Sequence, residues 1–303
     1  MAGPVAYDDI RSAAERIRAW SAETPVHEIS AIQIGRQPLL VKREDLQLSG
    51  SFKVRGVANF LLSSECKLAV AGSSGNHGIA LAEVCSRLDS KALVVMMRGS
   101  SVHKRQRIVS LGATVVECSQ DMIIRKETTA SLAGEWGGTV VDSSDDERII
   151  AGQGTIGLEI ARQVPDVRTI LVPLGGGGLL AGVLLAIRRM LPKAQVFGVE
   201  PACGNDFKLS IEAGRPVTID QCRTICDGAL ARTPGQLTFP LVQRLVDDIL
   251  LVGDKEVAST VALLRPSGLA LEPTGALGIA AARLHAAQLR PPVLAVASGG
   301  NIM

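Results

Sequence analysis

Short apolar runs alternate with longer stretches at helical spacing through most of the chain. The runs at 68–72, 92–97, 113–118, 139–142, 170–174, 196–200 and 293–297 are brief, β-branched and bounded by turn formers, which predicts strands. Between them, segments such as 80–88, 179–190 and 276–288 have the length and spacing of helices. Strand–helix alternation of this kind predicts βαβ units with right-handed crossovers, and hence an α/β fold built on open parallel sheets. The chain shows no internal repeat and no low-complexity linker. Its 303 residues allow a two-domain split, but periodicity alone does not place the boundary.

Composition narrows the function classes. Apolar residues make up 47% and charged residues 20%, as in a compact folded chain. Aromatics are only 3%, so the core is aliphatic, which suits helices laid on a buried parallel sheet. The net charge of +2 comes without a long basic run, so no nucleic-acid partner is expected. No apolar stretch reaches the ~18 residues of a membrane span. The first twenty residues carry Asp8, Asp9, Arg11, Glu15, Arg16 and Arg18 at helical spacing rather than a signal peptide's apolar core. The expected location is the cytoplasm. The chain ends soon after Ser298, so no appended regulatory domain is expected. Six cysteines show no C-x-x-C pairing, and Cys222 and Cys226 have no nearby histidine, so free, mostly buried thiols are expected rather than a zinc site.

Glycine-rich turns after predicted strands carry the candidate chemistry, because open α/β sheets place their ligands there. Gly72-Ser73-Ser74-Gly75-Asn76-His77-Gly78 separates a strand from a helix, and its unpaired N–H groups suit a carboxylate or phosphate. Taken alone, it is also compatible with a tight turn capped by serine. Gly175, Gly176, Gly177 and Gly178 open a helix, and four glycines there cost backbone entropy that a plain linker would not repay. Successive N–H groups can form an anion nest, which predicts a phosphate. The string Gly152-Gln153-Gly154-Thr155-Ile156-Gly157 spells a dinucleotide fingerprint, but no full strand precedes it, and it is read as a decoy. Lys53 lies between Phe52 and Val54, where partial burial would lower its pKa as an amine nucleophile requires. A solvated surface lysine is the alternative.

Together, these segments resemble the fold-type II pyridoxal 5′-phosphate (PLP) enzymes, specifically the serine/threonine dehydratase and serine racemase group. The resemblance rests on Lys42-Arg43-Glu44-Asp45-Leu46-Gln47, Ser49-Gly50-Ser51-Phe52-Lys53-Val54-Arg55-Gly56, Ser73-Ser74-Gly75-Asn76-His77, the four glycines, Gly198-Val199-Glu200-Pro201, Glu272-Pro273-Thr274-Gly275-Ala276 and Ser298-Gly299-Gly300-Asn301. It implies two open twisted-sheet α/β domains of the tryptophan synthase β-subunit-like architecture. The large PLP-binding domain would be 1–66 with 149–303, and the small domain 67–148. It further implies Lys53 as the Schiff-base lysine, Phe52 against the cofactor ring, Asn76 on its phenolic oxygen, the four glycines on its phosphate and Ser298 at the pyridine nitrogen. Ser73, Ser74, Asn76 and His77 would hold the substrate carboxylate. Ser74 would also be the second acid/base in a racemase. Glu200, Gly204 and Asp206 match a site for Mg²⁺ or Ca²⁺, with a helix-capping acidic loop as the alternative. A homodimer is the family expectation.

The expected activity is a PLP-dependent ammonia-lyase acting on a hydroxy amino acid such as L-serine, L-threonine or 3-hydroxyaspartate. An amino-acid racemase with side β-elimination is the alternative. A β-replacement synthase or a non-catalytic PLP-binding protein fits the motifs less well. Three departures from the family pattern bear on the substrate. Ser131 stands near where related racemases carry an arginine, Asp142-Ser143 replaces the usual His-Pro, and Ala229-Leu230-Ala231 replaces polar residues. Arg148 and Arg232 are candidates for meeting an acidic side chain, or ordinary surface arginines. His27, His103 and His285 have no companion at catalytic or ligand spacing.

Overall fold

The structure is a computed structural model, and it describes residues 5–73, 75–220 and 223–302. Among the described residues, ten strands and eleven α-helices follow one another in the predicted alternation. The first part runs α1 (Tyr7–Arg16), β1 (Val26–Ile34), β2 (Gln37–Arg43) and α2 (Lys53–Leu62). A second part runs β3 (Leu68–Gly72), α3 (Asn76–Leu88), β4 (Lys91–Met97), α4 (Val102–Ser110), β5 (Thr114–Cys118), α5 (Met122–Trp136) and β6 (Thr139–Val140). The remainder is α6 (Glu147–Gln163), β7 (Thr169–Pro173), α7 (Gly178–Met190), β8 (Gln195–Pro201), α8 (Asp206–Ala213), α9 (Thr238–Leu245), β9 (Asp248–Val252), α10 (Asp254–Leu264), α11 (Pro273–Leu284) and β10 (Val293–Ala297).

The strands form two sheets. A four-stranded parallel sheet has the order β5-β4-β3-β6, and a six-stranded sheet has the order β1-β2-β10-β7-β8-β9. In the larger sheet only the β1–β2 hairpin is antiparallel. All seven strands expected from the sequence are present. β1, β2 and β9 were not anticipated. In β1 only every second or third residue is buried, so its apolar signal is weak. β9 is a four-residue apolar run directly behind Asp247 and Asp248, and it merges with the preceding helical pattern.

Strand alternation sends side chains to two separate cores in the larger sheet. Ile170, Val172, Val196, Leu294 and Val296 pack beneath α6 and α7, while Leu171, Val199, Ala295 and Ala297 pack against α11. The decoy glycine string lies inside α6, where it serves close helix packing. A Cβ at Gly152 would lie 2.6 Å from the backbone of Arg55 and Gly56 on α2. One at Gly157 would meet Ala186 of α7 at 2.7 Å. Cys66, Cys85, Cys118 and Cys226 are free and buried, as expected. Cys203 departs from that expectation. It sits in the exposed loop after β8, where a thiol is open to oxidation, and it is disulfide-bonded.

Candidate active site

Lys53 begins α2, directly after a segment stitched to the end of β10. Ser51 bridges Gly299, and the Phe52 N–H donates to Ser298 O at 3.1 Å. Two residues on, Arg55 anchors the helix in a buried charge cluster. Its guanidinium donates to both oxygens of Glu44 at 2.8 Å and to those of Glu159 at 2.6 and 2.8 Å. Lys42 Nζ reaches the same Glu159 at 2.6 Å. Two cations and two anions therefore balance, and the start of α2 is fixed on both sides.

The Lys53 ammonium points into a cavity at the C-terminal ends of β7 and β10. Phe52, Ser144, the four glycines, Gly228, Thr274 and Ser298 line it. Lys53 Nζ donates to Ser143 O at 2.7 Å. Burial lowers its pKa to about 8, and the charge of Asp142 only partly opposes the shift. Lys53 is thus the poised amine that its apolar neighbours suggest.

The glycine turn is a cradle that side chains would fill. Gly177 has a φ of +91°, open to glycine at little cost, and a Cβ there would lie 2.6 Å from the Phe207 ring. A Cβ at Gly175 would meet Gly228 O at 3.0 Å, and one at Gly178 would meet Ser144 O at 2.6 Å. Thr238 Oγ1 braces the turn by donating to Gly176 O at 2.9 Å. Backbone N–H groups at the start of α7, with no side chains in the way, fit a phosphate. Ser298 is buried in the same wall, its hydroxyl 3.5 Å from Thr274 O. Among the described residues lining the cavity there is no carboxylate.

The 73–77 turn lies at the end of β3. Ser73 Oγ accepts from the N–H groups of Gly75 at 3.2 Å and Gly78 at 3.0 Å, so its side chain shapes the turn. Ser74 lies outside the described residues. The Asn76 amide donates through Nδ2 to Glu272 Oε1 and accepts through Oδ1 from Asn301 Nδ2 at 2.8 Å. It does not line the Lys53 cavity, although one Nδ2 hydrogen remains for a further acceptor. His77 is buried with Nε2 on Val141 O at 3.0 Å. Burial, with the Lys53 charge second, lowers its pKa to about 4, so the ring is neutral.

One residue near the site, Arg125, escaped the sequence reading. Ser131 is exposed and bonds Glu135 at 2.7 Å, so position 131 faces away from the site. The arginine on the inner face of α5 is Arg125, one and two turns before the buried Thr129 and Ala133. Its side chain passes 3.4 Å from where a Cβ on Gly72 would lie, and burial lowers its pKa. Its helical spacing, four and eight residues before Thr129 and Ala133, was the available signal. Asp142 is exposed, accepts from the Ser144 and Asp145 N–H groups at 2.8 Å, and its charge acts on both Lys53 and His77. Arg148 stacks on Phe60 and pairs with Asp146, and Arg232 donates to Ile219 O. Neither lines the cavity.

Glu200 and Asp206 sit together at the end of β8. Glu200 is buried and caps α8, accepting from Phe207 N at 2.9 Å and Lys208 N at 3.1 Å. Asp206 Oδ2 is buried without a hydrogen-bond partner. Burial and the neighbouring Asp206 push Glu200 up to about 8, and burial pushes Asp206 up to about 7. An orphaned carboxylate oxygen beside a second buried acid fits a hard cation. No cluster of three or more His, Cys, Asp or Glu suited to a metal occurs among the described residues.

The comparisons agree with this geometry. A family model described as pyridoxal-phosphate dependent enzyme matches residues 17–299. The chain is 36% identical to an L-threo-3-hydroxyaspartate ammonia-lyase from a Pseudomonas species, covering 98% of this chain and 95% of that one. It is 33% identical to serine racemase of Arabidopsis thaliana, over 97% and 92% of the two chains. A crystal structure of a T.th. threonine deaminase superposes with a TM-score of 0.93 at 36% identity, over 98% and 99% of the two chains. No helix among the described residues is long and apolar enough to cross a membrane. A buried amine of lowered pKa facing a glycine cradle, on two α/β sheets and in a chain matched nearly end to end, places this protein in the pyridoxal-phosphate-dependent enzyme family, among relatives that are ammonia-lyases and racemases.

Proposed function

We propose that the protein is an ammonia-lyase that removes the β-hydroxyl and amino groups of a small hydroxy amino acid, giving a 2-oxo acid and ammonia. The observation that carries this reading is Ser298 in a cavity whose described lining holds no carboxylate. Bound PLP draws electrons from the bonds at the substrate Cα, and a serine rather than a carboxylate at its ring nitrogen moderates that pull. A moderated sink favours early loss of the β-substituent over a long-lived carbanion.

In this reading the four glycines would hold the phosphate, Phe52 would lie against the ring, and the remaining Nδ2 hydrogen of Asn76 would be the donor for the phenolic oxygen. Ser73, Asn76 and His77, with Ser74 between them, present the turn that takes the substrate carboxylate. Lys53 Nζ would hold the cofactor and, as a neutral amine, would serve as the base for the substrate Cα proton. Arg125 suits an anionic group on the substrate, which keeps 3-hydroxyaspartate beside serine and threonine. Glu200, Asp206 and the Gly204 carbonyl would hold Mg²⁺ or Ca²⁺, which would offset the repulsion between the two acids. The domain division at 67–148 and a cytoplasmic homodimer complete the proposal. Four buried free thiols suit a reducing compartment, and the Cys203 disulfide counts against one.

The test is product analysis of the PLP-loaded protein with L-serine, L-threonine and L-threo-3-hydroxyaspartate, with and without Mg²⁺ or Ca²⁺. A 2-oxo acid without D-amino acid is the expected outcome. Dominant D-amino acid would replace the lyase with the racemase and give Ser74 the second proton.

The pKa of Lys53 gives a second expectation. Only the neutral amine attacks an aldehyde, so the rate of PLP capture by the apoprotein should rise about tenfold between pH 7 and pH 9 and then level off. A lysine with an ordinary pKa would give a steeper rise with no plateau in that range. Rapid-mixing absorbance at the cofactor's visible band distinguishes the two.

A further inference from the structure

Lys104 on α4 is a buried cation that no role assigned above uses. Its Nζ donates to Asp227 Oδ2 at 2.7 Å and to Glu272 Oε2 at 3.0 Å. Both acids flank cavity-lining residues, since Asp227 precedes Gly228 and Glu272 lies two positions before Thr274. The Gly228 N–H donates to Thr274 Oγ1 at 2.9 Å, so the two wall segments are also tied to each other. Lys104 belongs to the four-stranded side of the molecule, while Asp227 and Glu272 belong to the six-stranded side. The same ammonium would lie 3.3 Å from a Cβ placed on Gly75, so it packs directly beneath the 73–77 turn.

The other oxygen of Glu272 holds Asn76 Nδ2, and Asn301 donates to Asn76 Oδ1. The amide of Asn76 therefore has one orientation only, with a pure acceptor on one side and a donor on the other. Asn301 is held in turn by Arg107 of α4, whose Nη1 donates to its Oδ1 at 2.7 Å.

We propose that Lys104 is a positioning residue that braces the two sides of the site and, through Glu272, fixes the amide of Asn76 toward the cofactor. The proposal rests on the reading that Asn76 faces the cofactor. The chemistry follows from the donor inventory. Ionised Glu272 can only accept. A protonated Glu272 carries a donor of its own and holds Asn76 Nδ2 less firmly, which leaves Asn301 alone to orient the amide. Burial favours that protonated form, and Lys104 is the nearest charge opposing it.

The experiment compares PLP-loaded wild type, Lys104→Met, Lys104→Arg and the double variant Lys104→Met/Glu272→Gln. Arg105→Met, on the same helix as Lys104 and breaking an exposed pair with Glu117 of β5, is the control. The readouts are kcat, KM, thermal midpoint and the visible circular dichroism of the bound cofactor. Lys104→Met should lose on the order of 10²-fold in kcat with KM little changed, and its visible dichroism should change. Lys104→Arg should recover most of both. The double variant leaves no unpaired buried acid on Glu272, so it should regain stability without regaining kcat or the dichroism.

Wild-type kcat and dichroism in folded Lys104→Met would overturn the proposal. So would a double variant that recovers kcat together with its thermal midpoint, because Lys104 would then serve stability alone. If the wild type turned over none of the amino acids, the lyase reading would fail, and the dichroism comparison would still decide the role of Lys104.

Discussion

Lys53→Ala should fold, lose the visible absorbance band of covalently held cofactor after gel filtration, and lose turnover on the order of 10⁴-fold. One nitrogen serves as tether and as base, so both readouts fall together. Stability should change little. Lys53 Nζ makes one hydrogen bond, to Ser143 O, worth about 1 kcal/mol, and its lowered pKa shows that the ammonium is itself poorly solvated there. Lys53→Arg separates charge from chemistry. It keeps a cation at this point but cannot lose its proton, and it should be as inactive as the alanine variant. Residual covalent cofactor in either variant would move the attachment site elsewhere.

Arg55→Met should be the most damaging substitution for stability, by about 3–5 kcal/mol, because it leaves Glu44 and Glu159 facing each other with only Lys42 to balance them. That is a large part of the ~5–15 kcal/mol that holds a typical domain together. Arg55→Lys keeps the charge but cannot make the forked bonds to both carboxylates, and it should fall between the two. The urea midpoint of each variant, measured on the PLP-loaded protein, checks the order. The loss should extend to the site, since Lys53 stands two residues earlier at the head of the same helix. An Arg55→Met protein as stable as wild type would mean that the buried cluster is not what seats α2.

The sequence made the alternation of strands and helices legible because buried parallel strands are short, apolar and bounded by turns. It made Lys53, the four glycines and Ser298 legible because each ends or begins such an element. Edge strand β1 was illegible for the opposite reason: its burial follows no strict alternation. Asn76 could be matched by motif, but its partners Glu272, Asn301 and, one step further, Lys104 come from distant parts of the chain. No local spacing announces them. Arg125 was missed because attention fell on position 131, where helical geometry turns the side chain outward. The glycines of α6 show the converse. A familiar string read without its strand would have suggested a nucleotide, whereas helix packing alone accounts for it.

The position of β10 makes it the link between the two halves of the site. The last strand in the chain is not an edge: it lies between β2 and β7, and Ser298 at its end receives the backbone of Phe52. Until it is inserted, the larger sheet is two unjoined pieces, with Lys53 on one and the glycine cradle on the other. The two halves of the candidate cofactor site are thus joined within one sheet only by a strand that follows both of them in the chain.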